Sequence, residues 1–121
     1  MKALSALLVV MVALTPAFVL ADAAETEIEH LISAVGESGC TFIRNGSRHD
    51  AEDAASHMRL KYRRGKRYAT TAELFIERLA SKSSMSGKLY FIECEGEEPV
   101  PSGEWLGARL EDYRSKLLVS Q

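Results

Sequence analysis

Cys40-Thr41-Phe42-Ile43-Arg44-Asn45-Gly46-Ser47 is the stretch on which the arrangement of this chain turns. Thr41, Phe42 and Ile43 are β-branched or aromatic, so they favour a strand, and Asn45-Gly46 then supplies a turn because both residues tolerate left-handed backbone. Ser47, with Asp50 three residues on, has the form of a capping box, and a helix is expected to start there. A second strand signal, Leu89-Tyr90-Phe91-Ile92, leads into Cys94. Each of the two short strand signals thus lies beside a cysteine.

Around these strands the apolar residues recur with helical spacing. Ile28, Leu31, Ile32 and Val35 form one stripe on a helix within Glu25–Val35, which Gly36 or Gly39 ends. Ala51, Ala54, Ala55, Met58 and Tyr62 share the face of a second helix that stops at Gly65. Thr70-Thr71-Ala72-Glu73 repeats the capping-box pattern before Phe75, Ile76 and Leu79, and this third helix fades into the polar loop Ser81–Gly87. Gly96–Gly103, with Pro99 and Pro101, must be irregular. Ser102 then caps a last helix on which Leu106, Leu110, Tyr113 and Leu117 align beside Trp105. The expected class is mainly α (α+β), a single compact domain of about four helices and one short two-stranded element.

Composition limits the function classes. The chain has 121 residues, 46% hydrophobic and 26% charged, which suits an ordinary globular domain. Fifteen Lys and Arg against 17 Asp and Glu give a net charge of −2, which excludes a histone-like or polybasic nucleic-acid binder. Residues 3–21 are apolar behind Lys2 and run into the small-residue frames Val19-Leu20-Ala21 and Ala21-Asp22-Ala23, the pattern of a Sec-type signal peptide. The expected organisation is a signal peptide over 1–23 and one globular domain over 24–121, with no membrane span left after cleavage. Cys40 and Cys94 are the only cysteines, and export to an oxidising compartment favours joining them. Closing a loop of about 54 residues contributes about 4 kcal/mol in the chain-entropy account.

Four groups of residues invite a chemical reading. Arg59, Lys61, Arg63, Arg64, Lys66 and Arg67 place six cations within nine positions, with Tyr62 and Tyr68 interleaved. They suit the C-terminus of a helix, and they are also a candidate anion-binding patch for a phosphorylated envelope component or an acidic partner. His49, Asp53 and His57 are spaced i, i+4 and i+8 and form a weak metal candidate, since ligands two turns apart lie about 12 Å apart along a helix. Glu93, Glu95, Glu97 and Glu98 surround Cys94 as a solvated loop able to receive a cationic partner. The mature chain contains no G-x-S-x-G, S-x-x-K, H-E-x-x-H or phosphate-loop signature, so neither an enzyme nor a cofactor is expected.

Two resemblances add to this reading. Thr41-Phe42-Ile43-Arg44-Asn45-Gly46, Thr71-Ala72-Glu73 with Phe75-Ile76, Ser83-Ser84 with Ser86-Gly87 and Tyr90, and Trp105-Leu106 resemble the YfeK-like family of small exported proteins of Gram-negative bacteria. That resemblance spans roughly the whole mature chain, implies a periplasmic location and carries no assigned activity. Separately, Ser86-Gly87-Lys88-Leu89-Tyr90 is similar to the Ser-Gly-x-x-Tyr loop of periplasmic lysozyme inhibitors, which implies that Ser86, Gly87 and Tyr90 would form a partner loop. The combined expectation is a soluble periplasmic binding module for another envelope protein or an anionic envelope component. Inhibition of a lysozyme-like lytic enzyme through Ser86–Tyr90 is the alternative.

Overall fold

Asn45 (φ 49°) and Gly46 (φ 78°) both adopt left-handed backbone, which is the geometry of a two-residue hairpin turn. The chain therefore does not enter a helix at Ser47. Instead, β1 (Thr41–Arg44) turns back into β2 (Ser47–His49), with Phe42 opposite His49 and Arg44 opposite Ser47. The helix cap passes to Asp50, whose carboxylate accepts from the Asp53 N–H at 2.8 Å.

The computed structural model describes residues 8–10 and 16–120. Most of the proposed signal peptide lies outside the described residues. Among the described residues there are four helices: α1 (Pro16–Glu37), α2 (Ala51–Gly65), α3 (Ala72–Phe75) and α4 (Ser102–Val119). A single tight turn, Lys66–Tyr68, follows α2, and a widened π-type turn, Ile76–Ala80, extends α3. No helix among the described residues is long and apolar enough to cross a membrane.

The sheet has four antiparallel strands in the order β2-β1-β3-β4, where β3 is Phe91–Glu93 and β4 is Val100–Pro101. Mainly helical α+β character is as the sequence implies, but the sheet gains two strands over the two expected. Pairing of Phe42 with Ile92 buries both on the helix side, at 2% exposure each. The neighbouring pair, Thr41 with Glu93, brings Cys40 beside Cys94, and the two form a disulfide with Cα atoms 4.4 Å apart.

The helix stripes meet behind this sheet. Ile28, Leu31, Ile32 and Val35 of α1 are at most 1% exposed and join Met58, Phe75, Ile92 and Leu106 in one core. α1 runs through Gly36 to Glu37, with left-handed Gly39 (φ 68°) just beyond its end; at Gly36 a β-carbon would lie 3.3 Å from the Ala55 side chain, so glycine there suits the close α1–α2 contact. Thr71 alone caps α3, accepting from the Leu74 N–H at 3.1 Å, so Glu73 closes no capping box. Glu73 instead pairs with Arg114 of α4 at 2.5 Å, and Arg114 also grips both carboxylate oxygens of Glu27 on α1. Ser102 is not a cap either: it is fully buried in the first turn of α4, and its hydroxyl donates to the Ala80 carbonyl.

Candidate functional site

A helix rotates about 100° per residue, so α2 cannot present its basic residues as one patch. Arg59 and Lys66 lie on the side toward α1 and pair with Glu29 at 3.7 Å and Glu25 at 2.9 Å. Arg67 lies against the Tyr68 ring at 4.7 Å, while Arg63 and Arg64 are exposed in the last turn, where they complement the helix dipole. Lys61 is about 200° around the helix from Arg59 and faces the other way. Its ammonium donates to the Tyr90 hydroxyl at 3.3 Å and to the Lys82 carbonyl at 3.5 Å. The six cations expected together are thus divided among four surroundings.

Lys61 belongs instead to a group drawn from three elements. His57 precedes it by one turn of α2, and Arg44 closes β1 on the same side of the strand as Phe42. Tyr90 comes from the end of the 81–90 segment and is a core residue, 3% exposed, with its ring 5.4 Å from that of Phe42. Burial pushes the Lys61 ammonium below its ordinary pKa, and the Arg44 guanidinium pushes it further. Burial also lowers His57, with Arg44, Lys61 and His49 adding to the effect and Asp53 opposing it. The Tyr90 hydroxyl is raised, chiefly by burial.

His49 lies on β2 and outside the helix, so the i, i+4, i+8 arrangement does not exist as one helical face. His49 Nδ1 meets Asp53 Oδ2 at 2.9 Å. Among the described residues no group of three or more His, Cys, Asp or Glu could hold a metal ion.

The 81–90 segment is fixed by its own hydrogen bonds. Gly87, at φ 74°, turns the chain, its N–H donating to the Ser83 carbonyl at 3.0 Å, and the Ser83 N–H donates to the Lys88 carbonyl at 2.9 Å. The Ser83 hydroxyl accepts from the N–H groups of Met85 and Ser86, and the Ser86 hydroxyl reaches Asn45 Oδ1 on the β1–β2 turn at 2.6 Å. Met85 is left 99% exposed at the tip. Of the three residues expected to form a partner loop, Ser86 and Gly87 are on the surface; Tyr90 lies beneath it, because the turn aims its side chain into the core. Beside the tip, Ile43, Leu89 and Phe91 line a shallow apolar groove with Asn45 and Lys88. The acidic tract borders a separate open groove, in which Glu93 pairs with Arg48 at 2.5 Å.

Arg44 was not among the sequence candidates because it reads as the end of a strand. Alternation in β1 was the available signal: with Phe42 inward, the residue two positions on must share its side.

No solved structure matches this chain. One relative is a protein of Salmonella typhimurium described as uncharacterized protein YfeK, 42% identical over 67 residues. The match covers 54% of this chain and 56% of the relative, so the chain spans little more than half of that protein's length. Residues 22–114, which include every element from α2 to β4 and most of α1 and α4, match the family of unknown function DUF5329, and the chain belongs to that family.

Proposed function

We propose that this protein is an exported, non-enzymatic binding module of the periplasm that engages another envelope protein through the tip of the 81–90 loop. The observation that carries this reading is the pairing of a nearly fully exposed Met85 with a backbone already fixed by the Ser83, Ser86 and Asn45 hydrogen bonds. A loop held in one shape loses little entropy on docking, and a methionine adapts its three rotatable bonds to an apolar recess. The disulfide supports the placement, since such bonds persist in oxidising compartments.

The test is retention of a periplasmic protein on the immobilised chain, compared between wild type and Met85→Asp. A roughly tenfold loss of the retained protein is expected, as for an interface anchor. Equal retention by both would overturn the reading. Recovery of the full-length chain from the cytosol with free thiols would overturn the export part of it.

A narrower reading, inhibition of a lysozyme-like lytic enzyme, is favoured by the exposed position of Ser86 beside the tip. It requires the lysis rate to fall when purified protein is added in excess, and an unchanged rate removes it.

A further inference from the structure

Elsewhere among the described residues the cations either pair with a carboxylate or stand exposed in solvent, as Arg63, Arg64, Arg78 and Lys116 do. Arg48 pairs with Glu93, Arg59 with Glu29, Lys66 with Glu25, Arg109 with Asp112, and Arg114 with Glu27 and Glu73. Arg44 and Lys61 do neither: both are half-buried, and among the described residues neither has a carboxylate partner. The one carboxylate acting on the neighbouring His57 is Asp53, which is already hydrogen-bonded to His49. Placing uncompensated charge in partial burial costs stability, and selection for folding alone would place a neutral residue at 61 or a carboxylate nearby. Lys61 lies 5.1 Å from the centre of the Tyr90 ring, and its two hydrogen bonds, at 3.3 and 3.5 Å, are longer than the about 2.7 to 2.9 Å of a charge-assisted bond, so none of its contacts neutralises it.

We propose that Arg44, His57, Lys61 and the Tyr90 hydroxyl form a receptor for a phosphate monoester group. The donor set fixes the chemistry. Two neighbouring cations call for a dianion, and a phosphate monoester carries about −1.5 to −2 near neutral pH. A single carboxylate would leave one of the two cations uncompensated. The Arg44 fork suits two oxygens of a tetrahedral anion, Lys61 supplies a point charge, and the Tyr90 hydroxyl already lies against Lys61. His57 adds a third cation when protonated, which a bound dianion promotes. The charged and titratable groups acting on His57 are Arg44 from β1, His49 from β2, and Asp53 and Lys61 on its own helix; the Lys82 backbone carbonyl and the Tyr90 hydroxyl flank Lys61 from the 81–90 segment. This site is independent of the Met85 tip and stands whether or not that tip binds a protein.

The test is titration of the protein with inorganic phosphate in low-salt buffer, followed by NMR. Saturable shifts at Arg44, His57, Lys61 and Tyr90 are expected, with the His57 titration midpoint moving up as phosphate saturates the site. Arg44→Gln and Lys61→Gln should each weaken binding roughly tenfold, the loss of one charge-assisted contact. Arg63→Gln on the exposed turn, and Met85→Asp on the tip, should leave it unchanged. Absence of saturable shifts at these four residues, or equal weakening by Arg63→Gln, overturns the proposal.

A thermal melt guards against loss of fold: Lys61→Met, which keeps the apolar stem, should melt no lower than wild type without phosphate and gain less than wild type from its addition. A wild type that phosphate does not stabilise also overturns the proposal. Vesicles of phosphatidylcholine with and without phosphatidic acid then separate the sources. Binding to the phosphatidic acid vesicles identifies a lipid headgroup, and binding to soluble phosphate alone identifies a small phosphorylated solute.

Discussion

Burial and the neighbouring cations Arg44 and Lys61 hold the His57 imidazole below its ordinary value of 6.5, so the folded chain takes up its proton less readily than the unfolded chain. With the folded pKa depressed, the unfolded state binds more protons in the interval between the two values, and stability rises with pH there. His57 therefore contributes fully above its unfolded pKa, and the contribution is lost as pH falls through about 6.5 toward the folded value. In phosphate-free buffer, melts from about pH 8 to about pH 5 should fall less steeply for His57→Gln than for wild type. Ser102 offers a second residue-scale check. Its buried hydroxyl satisfies the Ala80 carbonyl, and Ser102→Ala should cost about 1 to 3 kcal/mol by denaturant unfolding. Tyr90 carries the lesson about legibility at this scale: resemblance to an inhibitor loop suggested a surface contact, whereas a turn at Gly87 leading into a strand implies a core position, and the core position is the one observed.

At the scale of elements, the β1–β2 hairpin depends on a turn with left-handed backbone at both Asn45 and Gly46, residue types that tolerate it. Gly46→Ala places a β-carbon on backbone at φ 78° and should destabilise the protein by about 1 to 2 kcal/mol, measured as a lowered thermal midpoint. Asn45 also holds the 81–90 loop through Ser86, so the same variant should increase amide exchange in residues 83–88. The apolar stripes of the first three helices were legible, since Ile28, Leu31, Ile32, Met58 and Phe75 are all inside, whereas of the α4 stripe only Leu106 and Leu110 are buried and Leu117, expected in line with them, is 45% exposed. β2 was not legible, because Ser-Arg-His carries no apolar alternation, and its first residue also resembles a helix cap. β4 consists of a valine and a proline on an edge, too short for any periodicity to register. Helix starts were displaced for a related reason: Ser, Thr and Asp cap equally well in sequence, and the backbone chose Asp50 and Thr71.

At the scale of the molecule, the cysteines did what periodicity cannot, which is to state which distant segments are neighbours. Joining Cys40 to Cys94 fixes β1 against β3 and with it the centre of the sheet order. Reduction removes a constraint worth about 4 kcal/mol, and a domain of this size should lose roughly 15 °C or more in thermal midpoint on treatment with dithiothreitol. The candidate phosphate site was less accessible to sequence reading, because its members come from β1, α2 and the 81–90 segment and meet only once the sheet has formed. Lys61 was singled out as part of a linear cluster, but helical rotation removes it from that cluster and gives it Arg44 and Tyr90 as company.

The bond between positions 40 and 94 encloses the exposed turn that carries Lys82 and Lys88. A protease that cuts the backbone after either lysine therefore severs the chain without releasing a fragment. Trypsin-nicked protein should migrate as one band on a non-reducing gel and as two once thiol is added, so damage at the tip leaves the scaffold behind it in one piece.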